Sequence, residues 1–325
     1  MHYTIIPLDR VDPTDETFRI TTRTDADDLA ASIAIDGLVA PPILVQKTAR
    51  NFIIVSGFRR IAACRQLKNK QIPAVVLEPD PGLLACLRKA IAANALQRPL
   101  NLIEISRCLQ KLASCLPERR QLVHAAQALG LPTNQSVIDK IIGLVHLPLP
   151  VQEGILDDSL ALSMAVELGS MDAVDAVEFT RLFQLLKLSL NKQREMLTLV
   201  KEISRREDIS IQDVLQDRRI RKVLSDDNPD WGRNAREIRS LLHHWRYPGI
   251  SKAQQQFEKR LKELKLGPNL KLIPPKNFEG TTYALQLTFD DLDRLKMLQT
   301  ALDRIIRHPS IHKIMERKEV TKVNE

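Results

Sequence analysis

Apolar and polar positions follow three regimes along the chain. Over the first hundred residues the apolar positions come in short runs, at Tyr3–Leu8, Leu38–Val45, Phe52–Val55 and Ile72–Leu77, separated by polar turns, which predicts four strands. Pro41 and Pro42 give the second strand an extended entry. Between these runs the spacing becomes helical. Ala30, Leu29 and Ile33 form an inner face for a helix that Thr24 or Asp25 can cap, and Asp36-Gly37 closes it with a left-handed residue. A second helix begins near Phe58, directly after Gly57, and a third covers Pro81–Ala95. Short strands mixed with short helices predict a compact α/β domain, too small for a doubly wound sheet.

From Pro99 onward the pattern is helical almost without interruption. Leu102, Ile103, Ile105, Leu109 and Leu112 define a helix that Pro117 ends, and Arg120–Gly130 and Asn134–Leu144 form two more around the turn Leu131-Pro132-Thr133. A helix closing on alanine-x3-glycine, a tight turn and a second helix with an inward Val137 match a helix-turn-helix, and match an ordinary helical hairpin equally well. In the first case Thr133, Asn134, Gln135, Ser136 and Lys140 face DNA, the amides and hydroxyls toward base edges and the lysine toward phosphate. Residues 174–209 predict two amphipathic helices parted near Ser189-Leu190-Asn191, and further helices cover Asn234–Trp245 and Ala253–Leu264. Asp226-Asp227-Asn228-Pro229-Asp230 reads as a linker. Strand alternation returns at Thr281–Phe289, followed by a helix capped by Asp290 with Leu292, Leu295, Leu298, Leu302 and Ile305 inside. One strand and one helix cannot bury their apolar faces alone, which predicts a dimer using Leu285, Leu287 and Phe289.

The stretch Phe52–Cys64 carries the most specific chemistry. A strand turns at Gly57 into a helix opening with Arg59 and Arg60, so free backbone N–H groups, the helix dipole and two guanidinium groups converge on a place for phosphate. A solvated surface turn is the alternative. The net charge of +8 and a pI near 9.3 point to an acidic partner, of which nucleic acid is the commonest. The densest basic run, Arg218-Arg219-Ile220-Arg221-Lys222, suits either phosphate backbone or a solvated helix face. Cys64, Cys86, Cys108 and Cys115 lack C-x-x-C spacing and read as buried free thiols of a reducing cytosol. His124, His146, His243 and His244 have no partners at metal-ligand spacing and read as packing or surface residues. No apolar run approaches the roughly 20 residues of a membrane span, and the start lacks the pattern of a signal peptide, so a cytoplasmic protein without membrane contact is expected.

Three segments occur in the order and approximate spacing of the ParB boxes: Ser32-Ile33-x3-Gly37-Leu38-x2-Pro41-Pro42-Ile43-x-Val45, Gly57-x-Arg59-Arg60-x2-Ala63, and Asn94-x2-Gln97-Arg98-x-Leu100-Asn101-x-Ile103-Glu104. The chain therefore resembles the ParB/RepB partition-protein family, closely over about the first 170 residues and loosely in the tail. Leu129-Gly130, Val137, and Leu144-x2-Leu147-Pro148 followed by Val151-Gln152 resemble the family's helix-turn-helix region, with one extra residue in the turn. The implied fold is α+β. A small mixed-sheet ParB/sulfiredoxin-like domain at 1–98 precedes an all-helical helix-turn-helix region at 99–225, and 226–325 hold a helical linker and a C-terminal strand-helix dimerisation unit.

By the same resemblance the chain is a dimeric clamp in chromosome or plasmid segregation, nucleoid-associated, binding a specific double-stranded DNA site and CTP with Mg2+. A ParA-type ATPase is a further partner that the resemblance allows. Gly37, Leu38, Pro42 and Ile43 are placed near base and ribose, Gly57, Phe58, Arg59 and Arg60 at the phosphates, and Asn94 and Arg98 in the third box, with Asn94 toward the metal. Two positions depart from the family. Phe58 stands where glutamate is usual, and Ala93 stands where glutamate precedes the asparagine. Neither offers an oxygen to a divalent ion, so binding is expected more than hydrolysis, and a weak CTPase stays open. The alternatives are a transcription regulator of the family without nucleotide turnover and a ParB-like nuclease, the latter disfavoured by the lack of a carboxylate cluster beside the boxes. Sulfiredoxin chemistry needs a cysteine beside the turn glycine, where this chain has Phe58, with Cys64 about two helical turns on.

Overall fold

The computed structural model describes residues 2–78, 80–225 and 230–315. The chain divides into two compact units, Met1–Arg194 and Glu195–Glu325. The first opens with strand β1 (His2–Pro7), β2 (Val11–Asp12), helix α1 (Asp27–Asp36), β3 (Ile43–Gln46), β4 (Phe52–Ser56), α2 (Phe58–Gln66), β5 (Gln71–Val76) and α3 (Leu83–Ala95). The five strands form one mixed sheet in the order β1-β5-β3-β4-β2, with β1/β5 and β3/β4 antiparallel and β3/β5 and β2/β4 parallel. The apolar periodicity missed β2, because two residues pairing beside Phe52 and Ile53 are too short to show alternation.

Alternation sets the sheet's inner face. Ile72, Ala74 and Val76 of β5 are buried with Ile6, Leu44, Phe52 and Ile54, and Ile33, Ile61 and Cys64 of the helices close over them. Pro73 lies in the middle of β5 without penalty. Val75 N donates to the Pro42 carbonyl on the β3 side, and Pro73, two residues earlier, faces the same side before β3 begins. Helix α1 starts after Ala26 rather than on Thr24 or Asp25, yet Asp25 Oδ1 accepts from the Asp27 N–H and so satisfies one first-turn donor.

The first unit continues as helices: α4 (Leu102–Cys115), α5 (Arg119–Ala128), α6 (Gln135–Ile141), α7 (Leu149–Leu156), α8 (Leu162–Leu168), α9 (Ala173–Leu185) and the start of α10 (Leu190–Glu207). The residue that α6 buries is Ile138, with Ile141, while Val137 is half-buried. Asn134 is the cap of α6, so the helix starts one residue later than the sequence pattern suggested. Cys64, Cys86 and Cys108 are buried, and burial pushes the Cys108 thiol up to about 12. Cys115 is half-buried, since it lies in the last turn of α4 where the packed face gives way to solvent.

The second unit holds α11 (Ile211–Leu215), α12 (Arg218–Leu224), α13 (Trp231–Arg246), α14 (Pro248–Leu264), β6 (Leu270–Ile273), β7 (Ala284–Leu287), α15 (Leu292–Ile306) and α16 (Pro309–Met315). Of the expected linker, residues 226–229 lie outside the described residues, and Asp230 caps α13 through the Arg233 N–H. The tail strand is not alone. β7 pairs antiparallel with β6, where the alternation of Leu270 and Leu272 is too short to stand out, and both pack with Phe257, Leu264, Leu298 and Ile305. Leu285 and Leu287 also face this core, whereas Phe289 is exposed. Leu292, expected inside, is 73% exposed, since the face that α15 turns inward is that of Leu298 and Ile305.

Candidate functional site

The turn from β4 into α2 depends on one glycine. Gly57 has φ +98°, and a Cβ there would lie 2.8 Å from the Pro42 Cβ and 3.0 Å from its Cα. Both the conformation and the close approach exclude a side chain. Gly57 then serves as the helix N-cap without a side-chain acceptor, so the first N–H groups of α2 have no intrahelical partner and face outward. Pro42 fills the space behind them.

In front of this turn is a pocket of about 170 Å³. Gly57, Phe58, Arg59, Arg60, Asn94 and Arg98 line it, which brings six of the ten expected nucleotide residues together. Gly37, Leu38, Pro42 and Ile43 do not line it. Gly37 ends α1 in open space, Leu38 packs on the first core, Pro42 is buried behind Gly57, and Ile43 pairs with Ser56 in the sheet. The pocket also draws on Gln97 of the third box, and on Thr21, Arg23 and Ser56, which no spacing rule singled out. The polar run Thr21–Thr24 before α1 was the available signal.

The arginines differ in what holds them. Arg59 Nη2 donates to Asp28 Oδ1 at 2.6 Å and its Nε donates to the Asp25 carbonyl, so this side chain bridges to the start of α1. The hydrogen bond from Arg59 holds the exposed Asp28 carboxyl below the usual range. Arg98 grips Glu104 through both terminal nitrogens, at 2.6 and 2.7 Å. Glu104 is fully buried and also accepts from the backbone N–H groups of Thr22 and Asn101. Burial alone would raise its pKa, but the Arg98 and backbone donors outweigh that and hold the carboxyl below its ordinary value. Asn101 in turn accepts from Glu104 N in a capping box, and its amide donates to Thr22 Oγ1. This network fastens the Thr21-Thr22 wall of the pocket to α4.

Arg60 is different. It is half-buried, donates to the Pro41 carbonyl at 3.2 Å, and has no carboxylate partner among the described residues. Burial alone lowers its pKa. A desolvated guanidinium without a counter-charge beside free helix N–H groups is an anion-binding arrangement. The residues present therefore fit the phosphates of a nucleotide. They do not fit a protein-held divalent cation. No carboxylate lines the pocket, Glu104 is already saturated by donors, and Asn94, whose amide nitrogen donates to the Ala90 carbonyl, offers a single neutral oxygen. Phe58 packs on the core under the Arg19 guanidinium, 5.4 Å from its ring centre.

The second expected surface lies on α5 and α6. Ala126 is fully buried and Gly130 supplies φ +70° in the turn. Thr133, Ser136 and Lys140 are exposed. Asn134 uses its Oδ1 to cap α6, accepting from Val137 N, and Gln135 donates to Asp139, which also lies 3.7 Å from Arg119. An acidic Asp139 among the expected reading residues was not anticipated. Among the described residues no three His, Cys, Asp or Glu side chains gather as a metal site, and no helix is long and apolar enough to cross a membrane.

Comparison with known proteins matches residues 2–94 to the ParB N-terminal domain. Curated relatives include nucleoid occlusion proteins of Listeria innocua, 27% identical over 157 residues, and of Halalkalibacterium halodurans, 30% identical over 170. These alignments cover 48% and 52% of this chain and 53% and 57% of those proteins, so the chain spans about half the length of the curated relatives it matches. Similar solved structures include the C-terminally truncated ParB of Caulobacter crescentus complexed with CTP-gamma-S, at 24% identity and a TM-score of 0.27, covering 56% of this chain and 99% of that one. The same protein complexed to the centromeric parS site scores 0.34 at 22% identity, covering 58% and 96%, and a Pnob8-like ParB-N domain 0.36 at 15%, covering 75% and 97%. Residues 2–94, over which the family match, the mixed sheet and the Gly57 turn coincide, are thus similar to the ParB N-terminal domain.

Proposed function

We propose that this chain is a ParB-like, nucleoid-associated protein that binds double-stranded DNA through α5 and α6 and a nucleoside triphosphate, CTP, at the Gly57 turn. The observation that carries the nucleotide reading is Arg60, half-buried without a carboxylate beside the open N-terminus of α2. In this reading Arg60 and Arg23 supply charge, the α2 N–H groups bond phosphate oxygens, and Arg59 can leave the exposed Asp28 for the ligand. The base and ribose extend past the pocket toward Gly37–Ile43. A pocket of about 170 Å³ is smaller than the roughly 300–1,000 Å³ of most small-molecule sites, so these parts of the ligand lie outside it.

Dimerisation through the tail, clamp closure over DNA and the division at residues 98 and 225 belong to the same proposal. A dimer would use the exposed Phe289 and Leu292 rather than the inward Leu285 and Leu287. With no carboxylate in the pocket, Mg2+ would arrive on the phosphates, and hydrolysis is not part of the proposal. Partnership with a ParA-type ATPase rests on the resemblance alone.

The small pocket and the ties on Arg59 and Arg98 favour a second reading, a DNA-binding regulator indifferent to nucleotide. Equilibrium binding of labelled CTP, competed by the other nucleoside triphosphates and repeated with Arg60→Ala, separates the two. Selective binding that weakens at least tenfold in the variant supports the nucleotide reading, since a bond from a charged donor contributes about 1.5–3 kcal/mol. Absence of binding with and without DNA supports the regulator.

A further inference from the structure

The second unit contains a basic groove that the ParB-like reading does not use. Helix α12 carries Arg218, Arg219, Arg221 and Lys222, and α13 carries Arg233, Arg236, Arg239 and Arg246, with Glu237 as the acidic residue of either helix. Three of the eight are neutralised: Arg219 by the capping Asp217, Arg239 by Glu195 and Arg246 by Glu202. Arg218, Arg221, Lys222, Arg233 and Arg236 have no carboxylate partner among the described residues, and all five are exposed. Arg218 and Lys222 are four residues apart on α12, and Arg233 and Arg236 three apart on α13, spacings at which like charges repel.

These charges stand on a fixed frame. Ile220 and Ile238 bury the inner faces of the two helices, and the buried Asn234 donates to the Val223 carbonyl across them. Arg219 lies over the Trp245 ring at 4.3 Å. Between the helices is a groove of about 430 Å³ lined by Arg219, Lys222, Arg233, Asn234 and Glu237 among others. Basic side chains from two helices therefore border one depression, and of its lining Lys222 and Arg233 have no carboxylate partner among the described residues.

We propose that the α12–α13 groove is a second, sequence-independent contact for the phosphate backbone of double-stranded DNA. A linear polyanion neutralises several of these charges at once and relieves their mutual repulsion, which a single small anion cannot do. Duplex rather than single-stranded nucleic acid follows from the aromatic residues. Arg219 covers the Trp245 face and the residues lining the groove include no aromatic ring on which unpaired bases could stack. Glu237 opposes phosphate within the groove and sets an opposite sign for the test.

The experiment is fluorescence anisotropy of the full chain with a labelled duplex of arbitrary sequence, across a series of salt concentrations. The triple variant Arg221→Ala, Lys222→Ala, Arg233→Ala should bind at least tenfold more weakly at low salt. Its slope of log affinity against log salt should fall by about 0.9 for each phosphate that is no longer neutralised. Glu237→Gln should bind more tightly than the parent, and the charge-preserving Arg221→Lys, Lys222→Arg, Arg233→Lys should keep the parent slope. Circular dichroism and urea midpoints establish that each variant is folded. Parent-like affinity and slope in the folded triple variant would overturn the proposal, as would tighter binding of an unpaired strand than of the duplex. Because CTP does not enter this measurement, its failure leaves the Gly57 reading standing.

Discussion

The Gly57 pocket and the α12–α13 groove are both built from arginine, and they handle its charge in opposite ways. In the pocket Arg59, Arg60 and Arg98 are partly desolvated. Arg98 is locked on the buried Glu104, Arg59 is bridged to Asp28, and Arg60 is held only by a carbonyl. In the groove the unpaired basic side chains are exposed and screened by solvent. Burial strengthens each electrostatic contact and protects it from salt, whereas exposure leaves the attraction weak per charge and strongly salt-dependent. The pocket therefore suits one small, charge-dense ligand, and the groove a long polyanion.

The largest test of that contrast is at Glu104. Glu104→Ala leaves Arg98 without its partner, releases the Thr22 and Asn101 donors and removes the capping box, so unfolding in urea should show a loss of about 3–5 kcal/mol. Nucleotide binding should weaken with it because Thr21 lines the pocket. In protein that stays folded, duplex binding through the groove should keep the parent's salt slope. An unchanged urea midpoint would mean that the network is ornamental.

Gly57→Ala should come next, at about 1–3 kcal/mol, from a positive φ and a contact with Pro42 that the backbone must open to relieve. Here nucleotide binding should be lost more completely than stability, since any shift of the turn moves the α2 N–H groups. Binding that survives in Gly57→Ala would place the phosphates elsewhere.

How much of this was legible in the sequence depended on distance along the chain. The β4–Gly57–α2 turn could be read because a run of apolar residues, a glycine and two arginines are contiguous, and the chemistry follows from that order. The groove was half visible, since the run at 218–222 stands out but its pairing with Arg233 and Arg236 depends on how α12 packs on α13. Asn101-x2-Glu104 has the spacing of a capping box, yet nothing nearby says that Glu104 also holds Thr22, 82 residues earlier. Strands β2 and β6 escaped for a related reason. Two and four residues are too few to show a period of two, and each becomes a strand only through its partner.

The smallest expected effect concerns pH and the polar loop before α1. Asp15 accepts from Lys47 at 2.8 Å and from the Thr17 N–H. Burial would raise its pKa, but these donors outweigh burial and lower it from 3.8 to about 2. The folded value lies below the unfolded one, so this carboxylate stabilises the fold above pH 3.8 and the contribution is lost as pH falls toward 2. The shift corresponds to about 2 kcal/mol at most, and less after allowing for the exposed Lys47 end of the pair. Asp15→Asn should therefore reduce stability at neutral pH by about 1 kcal/mol and flatten the stability profile between pH 4 and 2. Glu104 adds a loss with the same sign over the range below its ordinary value of 4.5, so acid should loosen the pocket wall through Thr22. The frame of the groove rests on Ile220, Ile238 and the bond from Asn234 to the Val223 carbonyl, none of which titrates. Nucleotide binding should consequently fall in acid before duplex binding does, and parallel loss of the two would show that the pocket and the groove are not independently built.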